Sequence, residues 1–360
     1  MPASEKPLVS FTLLGCNQEH FIREAIAGAL AQTYSPLEII LSDDCSTDRT
    51  FAIMQEMAAA YQGPHKIVLN QNPKNLGLGS HVSAVMELAK GELIIRSDGD
   101  DVSLPERAMT LTEAWLGANR PSGIGSRVIP INDNGERLDV SCPLLSPPEY
   151  FGGLISPPEL IRLFLQEKPL GVVGACGAWS KENWDFFGKF SEGVQQEDTV
   201  LSFRAFLRGG LYAIEQRLVK YRAHQESATF SLGYKKSEPV SLSAFKSQAL
   251  RVAVSANRRH AEFVTIRGDI ATAKAKLGLA PQTLGELEAS IDGRISELAV
   301  WKEWWRLGFF GRLHQWRSAP YAGWQQRIPS LFGLTGFALI RYVVVRFKEG
   351  GFNRKPDSNY

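Results

Sequence analysis

The sequence predicts an α/β fold, in which a mostly parallel sheet is flanked by helices and followed by a helical C-terminal region. Short apolar runs alternate with segments of helical periodicity over the first 100 residues, a pattern typical of βαβ crossovers. Polar and acidic clusters follow three of the apolar runs, at 16–19, 42–48 and 98–101. In the last third of the chain the strand pattern stops. We therefore expect two domains, at 1–230 and 231–360.

The N-terminal elements follow one another regularly. The β-rich run at 8–14 predicts a first strand, and the apolar spacing within 19–32 predicts a helix. The runs at 37–41 and 66–70 predict the second and third strands. The remaining elements predicted here are helices at 48–61 and 80–89 and a fourth strand at 92–97.

The middle of the chain is less regular. Five prolines between 143 and 158 predict a long loop. Small residues at 171–180 predict a buried strand. A helix is predicted at 200–207, directly after two acidic residues, and a last strand at 211–219.

The composition indicates a globular protein of a reducing compartment. Hydrophobic residues make up 44% of the chain and charged residues 22%, which predicts a packed core. A net charge of +2 gives no reason to expect a nucleic-acid partner. The four cysteines show no Cys-x-x-Cys pair, which favours free thiols. The first residues lack a basic flank before a long apolar segment, so we expect no signal peptide and a cytoplasmic location.

Three carboxylates fall within the four residues 98–101, directly after the apolar run at 93–95. Charges at the end of a buried strand need partners, and a hard divalent cation such as Mg²⁺ or Mn²⁺, bridging to phosphate, supplies one. Ligands bind at the carboxyl ends of such strands, so the clusters at 16–19 and 42–48 belong to the same candidate site. A solvated acidic turn is the alternative, because Asp and Gly are common turn residues.

Eight short motifs occur in a fixed order. They are Asn17-Gln18-Glu19, Gln32-Thr33-Tyr34, Glu38-Ile39-Ile40, Asp43-Asp44-Cys45-Ser46-Thr47-Asp48, Asn75-Leu76-Gly77, Ala89-Lys90-Gly91-Glu92, Asp98-Gly99-Asp100-Asp101 and Leu104-Pro105-Glu106-Arg107. As a set they resemble the family 2 glycosyltransferases with the GT-A fold, over roughly residues 7–225. The chain departs from the family at Cys45, where glycine is usual, and at 80–82, where a small residue, Arg and Asn are frequent. The Gln-x-x-Arg-Trp motif is missing, which disfavours a processive synthase.

The resemblance implies a role for each polar cluster. It places Asp44 against the nucleotide base, most often uracil, and Asp98 near the ribose and diphosphate. Asp100 would ligate the Mg²⁺ or Mn²⁺ that bridges the diphosphate. Two alternatives stay open: a helix-capping acid, which Asp48 fits better than Asp44, and a capping role for Asp101 at the next helix. The other nucleotide-binding positions implied by the resemblance are Asn17, Glu19, Asn75 and Gly77.

Two later motifs complete the implied site. Glu197 and Asp198 match the family's Glu-Asp pair, which makes Asp198 the base for the acceptor hydroxyl and Glu197 its orienting neighbour. The alternative is a pair of acids favoured by a helix N-terminus. The segment 221–224 resembles the family's Tyr-Arg-x-His, which assigns Arg222 to phosphate and His224 to the metal or diphosphate. A purely structural His224 is the alternative. The implied reaction is a single in-line displacement that inverts the anomeric configuration.

The segment 301–360 combines ten basic and three acidic residues with many aromatic ones. Interfacial helices pair basic side chains with Trp and Phe in this way. The apolar run at 331–345 is shorter than the roughly 20 residues that span a bilayer. We therefore expect contact with an anionic membrane surface at the inner face of the plasma membrane. A helical core or a homo-oligomer contact is the alternative.

The sequence thus predicts a metal-dependent, non-processive hexosyl- or N-acetylhexosaminyl-transferase. Its partners would be a nucleotide-sugar donor and a saccharide or lipid-linked acceptor in surface polysaccharide or glycan biosynthesis. A nucleotidyltransferase is one alternative, although the loop at 15–19 has one glycine and no basic residue. A non-catalytic sugar-nucleotide-binding protein is another, against which the carboxylates of Asp98, Asp100 and Asp198 argue.

Overall fold

The computed structural model confirms the predicted α/β class, with a mixed, mostly parallel sheet flanked by helices. Nine strands lie within the residues that the structure describes, which are 6–139, 153–155, 172–223, 242–278 and 284–304. The strands are β1 (Val9–Gly15), β2 (Leu37–Asp43), β3 (Lys66–Gln71), β4 (Leu93–Asp98), β5 (Val102–Ser103), β6 (Gly123–Ile131), β7 (Gly153–Ile155), β8 (Gly177–Ser180) and β9 (Leu211–Arg222). The helices are α1 (Ile22–Leu30), α2 (Thr50–Ala60), α3 (Leu78–Leu88), α4 (Arg107–Gly117), α5 (Lys181–Phe187), α6 (Glu197–Arg208), α7 (Leu242–Leu277) and α8 (Gly285–Trp304).

The N-terminal half of the sheet is parallel, in the order β3-β2-β1-β4. Every residue of β1 and β2 is buried, as expected for strands covered by helices on both faces. The register pairs Gly15 with Asp43 and Leu14 with Asp98. The carboxyl ends of β1, β2 and β4 therefore meet at one edge of the sheet, where ligands bind in open α/β sheets.

The second half of the sheet adds antiparallel pairs. Strand β8 runs antiparallel to β4 and β6, while β9 runs parallel to β6 and antiparallel to β5 and β7. The strand predicted at 171–180 is confined to β8, and a 3₁₀ turn (Gly174–Cys176) precedes it. Strand β7 lies inside the predicted loop at 143–158, whose other residues lie outside the described ranges.

Two apolar clusters pack on opposite faces of the sheet, because side chains alternate along each strand. Phe11, Ile39 and Ile95 belong to a cluster with residues of α1, α2 and α4. Ile40 and Ile94 belong to the other cluster, with residues of α3, α5 and α6. This alternation places α6, which carries the predicted base, on the same face as α3.

The chain divides into two compact units, and the first comprises Met1–Gly233 and Thr265–Glu288. Within it Arg204 of α6 and Asp269 of α7 form a buried bidentate ion pair, with Nε–Oδ2 and Nη2–Oδ1 distances of 2.8 and 3.1 Å. Part of α7 therefore contributes to the core of this unit. Three rings face the guanidinium carbon, those of Trp184, Phe187 and Phe190, at 5.6, 5.4 and 4.8 Å. The domain limits at 1–230 and 231–360 stay a prediction.

The second unit comprises Tyr234–Val264 and Ala289–Tyr360. Its described residues belong to α7 and α8, in agreement with the predicted helical C-terminal region. Among the helices that the structure describes, none is both long and apolar enough to cross a bilayer. Apart from 301–304 at the end of α8, the basic and aromatic segment 301–360 lies outside the described residues.

Candidate functional site

The loops that follow β1 and β2 are joined by hydrogen bonds at the edge of the sheet. The backbone N of Asn17 donates to Ser46 Oγ at 2.8 Å, and the side-chain Oδ1 of Asn17 accepts from Thr47 N at 2.8 Å. Glu19 Oε2 accepts from Arg49 N at 3.0 Å. Both predicted nucleotide-binding side chains thus hold the two loops together, and Asn17 does so from a left-handed conformation, with φ of 52°.

Asp44 lies in the loop that follows β2 and is 3% exposed. Its Oδ1 accepts from Asn72 Nδ2 and Leu76 N, at 2.7 and 2.9 Å, and its Oδ2 accepts from Gly77 N at 3.0 Å. Asn75 Nδ2 donates to the Asp44 carbonyl at 3.3 Å. Because a carboxylate offers about four lone-pair positions, roughly one remains for a nucleotide base. Asp44 fixes the loop that carries the predicted residues Asn75 and Gly77.

Asp48, rather than Asp44, bonds to the first residue of α2, although Arg49 is the residue directly before the helix. Its Oδ1 accepts from Thr50 N at 2.9 Å and its Oδ2 from Glu19 N at 3.0 Å. Partial burial acts to raise the pKa of Asp48, but these hydrogen bonds outweigh it and lower the pKa below its ordinary value. The comparison of these two acids made from the sequence therefore agrees with the contacts.

A buried polar chain leads away from Asp44 and was not found from the sequence. His81 Nε2 lies 2.7 Å from Ser42 Oγ, and Asn70 Nδ2 donates both to Ser42 Oγ at 2.9 Å and to Asn72 Oδ1 at 3.3 Å. Burial lowers the pKa of His81 to about 4, so this histidine is neutral at pH 7. The only signal in the sequence was the departure from the family pattern at 80–82.

The predicted base and the acidic turn after β4 lie together, although about 100 residues separate them in the chain. Arg96 joins them, since its Nη2 lies 2.7 Å from Asp98 Oδ1 and its Nη1 lies 3.1 Å from Glu197 Oε1. Burial, together with the charges of Asp198 and Asp98, raises the pKa of Glu197 above its ordinary value, while the charge of Arg96 opposes this rise and favours the ionised form. The charge of Asp198, the next residue in the chain, also raises the pKa of Asp98 and of Arg96.

Asp101 is 1% exposed and supports β9 instead of capping the next helix. Its Oδ1 accepts from Arg222 N at 2.8 Å, whereas Glu106 precedes α4. Its Oδ2 is buried and accepts no hydrogen bond from the residues that the structure describes. Burial and the nearby charges of Asp100 and Asp98 raise the pKa of Asp101 well above its ordinary value. The capping alternative for Asp101 is therefore wrong.

Arg222 is 1% exposed, and its guanidinium is directed at the protein. Its Nε donates to the Asp100 carbonyl at 2.9 Å, and its Nη1 donates to the carbonyls of Asn132 and Asp133 at 3.0 and 2.6 Å. Its Nη2 pairs with Glu24 Oε2 at 2.7 Å. Four of five N–H donors are thus used, so these contacts favour a clamp on the acidic turn over the predicted phosphate ligand.

The acidic turn suits a cation that arrives with a diphosphate. Among the described residues no group of three or more His, Cys, Asp or Glu side chains forms a metal site on its own. Two observations fit a cation at this turn: Asp101 Oδ2 accepts no hydrogen bond from the residues that the structure describes, and the charge of Asp100 adds to burial in raising the pKa of Asp98. Mg²⁺ in phosphate sites needs only one or two carboxylates, so Asp100 fits this role. The other predicted ligand, His224, lies outside the described residues.

Comparison with known proteins agrees with this geometry. The family model "Glycosyl transferase family 2" matches residues 15–176. This part of the chain is similar to the family 2 glycosyltransferases. The resemblance predicted from the sequence is therefore confirmed, and the match includes the loops that follow β1 and β2 and the acidic turn but ends before Asp198 and Arg222.

Curated relatives match the N-terminal part of the chain. EpsE of Bacillus subtilis, whose glycosyltransferase name is provisional, is 39% identical over 101 residues, which are 28% of this chain and 36% of EpsE. Chondroitin synthase of Escherichia coli is 35% identical over 100 residues, which are 28% of this chain and 14% of the synthase. The matches thus span about a third or less of the length of these relatives.

Solved structures resemble the whole chain in fold. Staphylococcus aureus TarS 1–349 in complex with UDP is 14% identical, with a TM-score of 0.51, over 98% of this chain and 94% of that one. TarS 1–349 alone is 13% identical, with a TM-score of 0.50 over the same shares. At such low identity the likeness concerns the fold alone, and it supports the GT-A type predicted from the sequence.

Proposed function

We propose that this protein is an inverting, metal-dependent, non-processive glycosyltransferase. It transfers a hexosyl or N-acetylhexosaminyl group from a UDP-linked donor to a hydroxyl of a saccharide or lipid-linked acceptor. One observation carries this proposal: a Glu-Asp pair lies beside the acidic turn of a family 2 domain, joined to it by Arg96. A base for the acceptor and a site for the diphosphate therefore share one place.

The reaction is a single displacement at the anomeric carbon. The acceptor oxygen forms a bond to that carbon while the bond to the diphosphate oxygen breaks, and the nucleoside diphosphate leaves with the electron pair. Asp198, in the first turn of α6, takes the proton of the acceptor hydroxyl.

Other residues of the site hold the donor and the base. Asp44 and the Asn75–Gly77 loop bind the nucleotide, and Asp98 lies toward the ribose and diphosphate. Glu197, paired with Arg96, orients Asp198. A divalent cation at Asp100 would offset the charge of the departing diphosphate. The UDP complex of the fold neighbour TarS supports UDP as the first nucleotide to test.

The proposals for the acceptor and the location rest on the name of one relative and on the composition of the C-terminal segment. A relative named chondroitin synthase supports a saccharide acceptor. The basic and aromatic segment 301–360 favours an anionic membrane surface, a lipid-linked acceptor and a place at the inner face of the plasma membrane. A contact between two copies of the chain is the other use of this segment.

The test is a panel of UDP-sugars and GDP-sugars incubated with the full chain and Mn²⁺ or Mg²⁺. Release of the nucleoside diphosphate that depends on the metal, and on Asp198, supports the proposal. Formation of pyrophosphate from a nucleoside triphosphate and a sugar phosphate would indicate a nucleotidyltransferase instead. Metal-dependent binding of UDP without any turnover, with all acceptors offered, would indicate a binding protein.

A further inference from the structure

A buried arginine lies between the two acidic parts of the site. The Arg96 side chain is 4% exposed; its Nη2 donates a hydrogen bond to Asp98 Oδ1 at 2.7 Å, and its Nη1 forms an ion pair with Glu197 Oε1 at 3.1 Å. Glu197 begins α6, and Asp98 ends β4. One guanidinium thus links the helix that carries the predicted base to the strand that leads into the acidic turn.

The surrounding backbone leaves room for this guanidinium and for little else. A Cβ added at Gly174 would lie 1.7 Å from Arg96 Nη1 and 2.8 Å from Glu197 Oε1. Any larger residue at this position would therefore displace the ion pair. The 3₁₀ turn that begins at Gly174 is in this way adapted to the contact between Arg96 and Glu197.

A second buried arginine holds the backbone of the same region. Arg107 is fully buried, and its Nη2 donates to the carbonyls of Arg96 and Ala175 at 2.7 and 2.8 Å. Its Nη1 donates to Ser103 Oγ at 2.8 Å. Strand β4 and the 3₁₀ turn are therefore joined to one another, and the backbone of Arg96 is held by its hydrogen bond from Arg107.

We propose that Arg96 is a positioning residue, which holds Glu197 and the first turn of α6 against Asp98 and so places the Asp198 carboxylate relative to the donor. This inference rests on the proposed function for its catalytic consequence. A lysine could not replace Arg96, because its single ammonium lacks the planar fork that bonds two carboxylates in fixed directions. A misplacement of about 1 Å lowers the rate of an oriented reaction by about 100-fold.

The alternative is that Arg96 only balances charge in the donor site. That role predicts that Arg96→Lys, which keeps the positive charge, leaves both kcat and UDP affinity near their wild-type values. A positioning role predicts instead that kcat falls while UDP affinity is retained, because Asp198 meets the acceptor and not the nucleotide. The two roles are separated by measuring both quantities on the same variant.

The experiment compares Arg96→Lys, Glu197→Gln and the double variant with wild type. We measure kcat with the donor that the panel identifies, UDP affinity by calorimetry with Mn²⁺, and hydrogen–deuterium exchange of peptides spanning 192–203. Arg96→Lys is expected to lower kcat about 100-fold with UDP affinity unchanged. The double variant is expected to be no slower than the worse single variant. Arg120→Lys, at an exposed ion pair with Glu92, is the matched control and leaves all readouts unchanged.

The exchange measurement decides the positioning claim without any turnover. Faster exchange at the start of α6 in Arg96→Lys supports the inference, and Glu197→Gln gives the same readout if Arg96→Lys fails to fold. Unchanged exchange together with unchanged kcat overturns it, as does an equal loss of kcat and UDP affinity. If wild type cleaves no donor, the proposed function fails, while exchange still shows whether Arg96 holds α6.

Discussion

The two halves of the candidate site are held in different ways. In the loops that follow β1 and β2, Asp44 accepts three hydrogen bonds from neutral groups, and Asn17 bridges the two loops. Around the acidic turn, in contrast, the contacts are made by buried arginines, and Asp101 Oδ2 has no hydrogen bond from any described residue. Most contacts of the loops are thus made within the protein, whereas the acidic turn leaves one buried carboxylate oxygen without a hydrogen bond from the described residues.

This difference indicates what each half does. A loop that is already fixed by hydrogen bonds from neutral donors is suited to bind a flat, neutral base with little reorganisation. A cluster of carboxylates that only partly balances its charge favours the arrival of a cation, and with it a diphosphate. The comparison can be tested half by half, and the following variants do so in order of decreasing effect.

The largest effect is expected at the acidic half. Asp198→Asn removes the proposed base and should lower kcat by about 10²- to 10⁴-fold, because general-base catalysis contributes this much. UDP affinity should not change, since Asp198 acts on the acceptor. The measurement is donor turnover together with calorimetry, with Asp185→Asn on the exposed face of α5 as control. Wild-type turnover by Asp198→Asn would remove this residue from the mechanism.

The loop half is tested through the pH dependence of stability. The folded-state pKa of His81 is about 4, because burial disfavours its charged form, whereas its ordinary pKa is 6.5. Between these two pH values the unfolded chain binds a proton that the folded chain does not, so the unfolding free energy falls as the pH is lowered from 6.5 to 4. This linkage amounts to about 3 kcal/mol.

The check is urea unfolding of His81→Gln and wild type at pH 7 and pH 4.5. The glutamine variant should lose less stability than wild type over this range, whereas the exposed His20→Gln control should lose as much as wild type. Equal losses in His81→Gln and wild type would mean that His81 is not a buried neutral residue beside Ser42.

Removing the proposed metal ligand sharpens the contrast between the halves. Asp100→Ala should weaken metal-dependent UDP binding by about 10- to 100-fold. Chelation of the metal should have a comparable effect on wild type and little further effect on the variant. Calorimetry with and without Mn²⁺ measures both. An Asp100→Ala variant with wild-type metal dependence would place the cation elsewhere.

The smallest effect concerns one residue of the loop that follows β2. Cys45 has a φ of 58°, in the left-handed region where glycine is favoured and where the family usually has glycine. Cys45→Gly should stabilise the protein by about 0.5 kcal/mol, as relief of strain exceeds the added freedom of the unfolded chain. Cys45→Ala keeps the Cβ and should give no gain. Equal stability of the two variants in urea unfolding would contradict this explanation.

Local patterns sufficed for the parallel half of the sheet. The alternation of apolar runs and helical periodicity predicted β1 to β4 and α1 to α3 to within two or three residues. Strands β5 and β6 were not predicted, because they are held by non-local pairing with β9 rather than by a strong periodicity of their own.

The candidate site divides in the same way. The acidic motifs led to the predictions for Asp98 and Asp198, since chemistry restricts which residues can serve in such roles, and these roles stay predictions. The sequence did not indicate that Arg96 joins Glu197 to Asp98, or that Arg222 donates to backbone carbonyls, because both depend on residues far apart in the chain. An arginine beside acidic residues is compatible with a phosphate site or with a clamp, and only the contacts distinguish them.

The most direct test of the account is the configuration of the sugar formed in the first turnover. With a donor from the panel, Mn²⁺, the full chain and water as the acceptor, the product is a free sugar. NMR can detect which anomer of this sugar appears first, before the two anomers equilibrate. The account predicts the inverted anomer, formed by wild type and lost in Asp198→Asn. First formation of the retained anomer, or unchanged formation of product by Asp198→Asn, would contradict it.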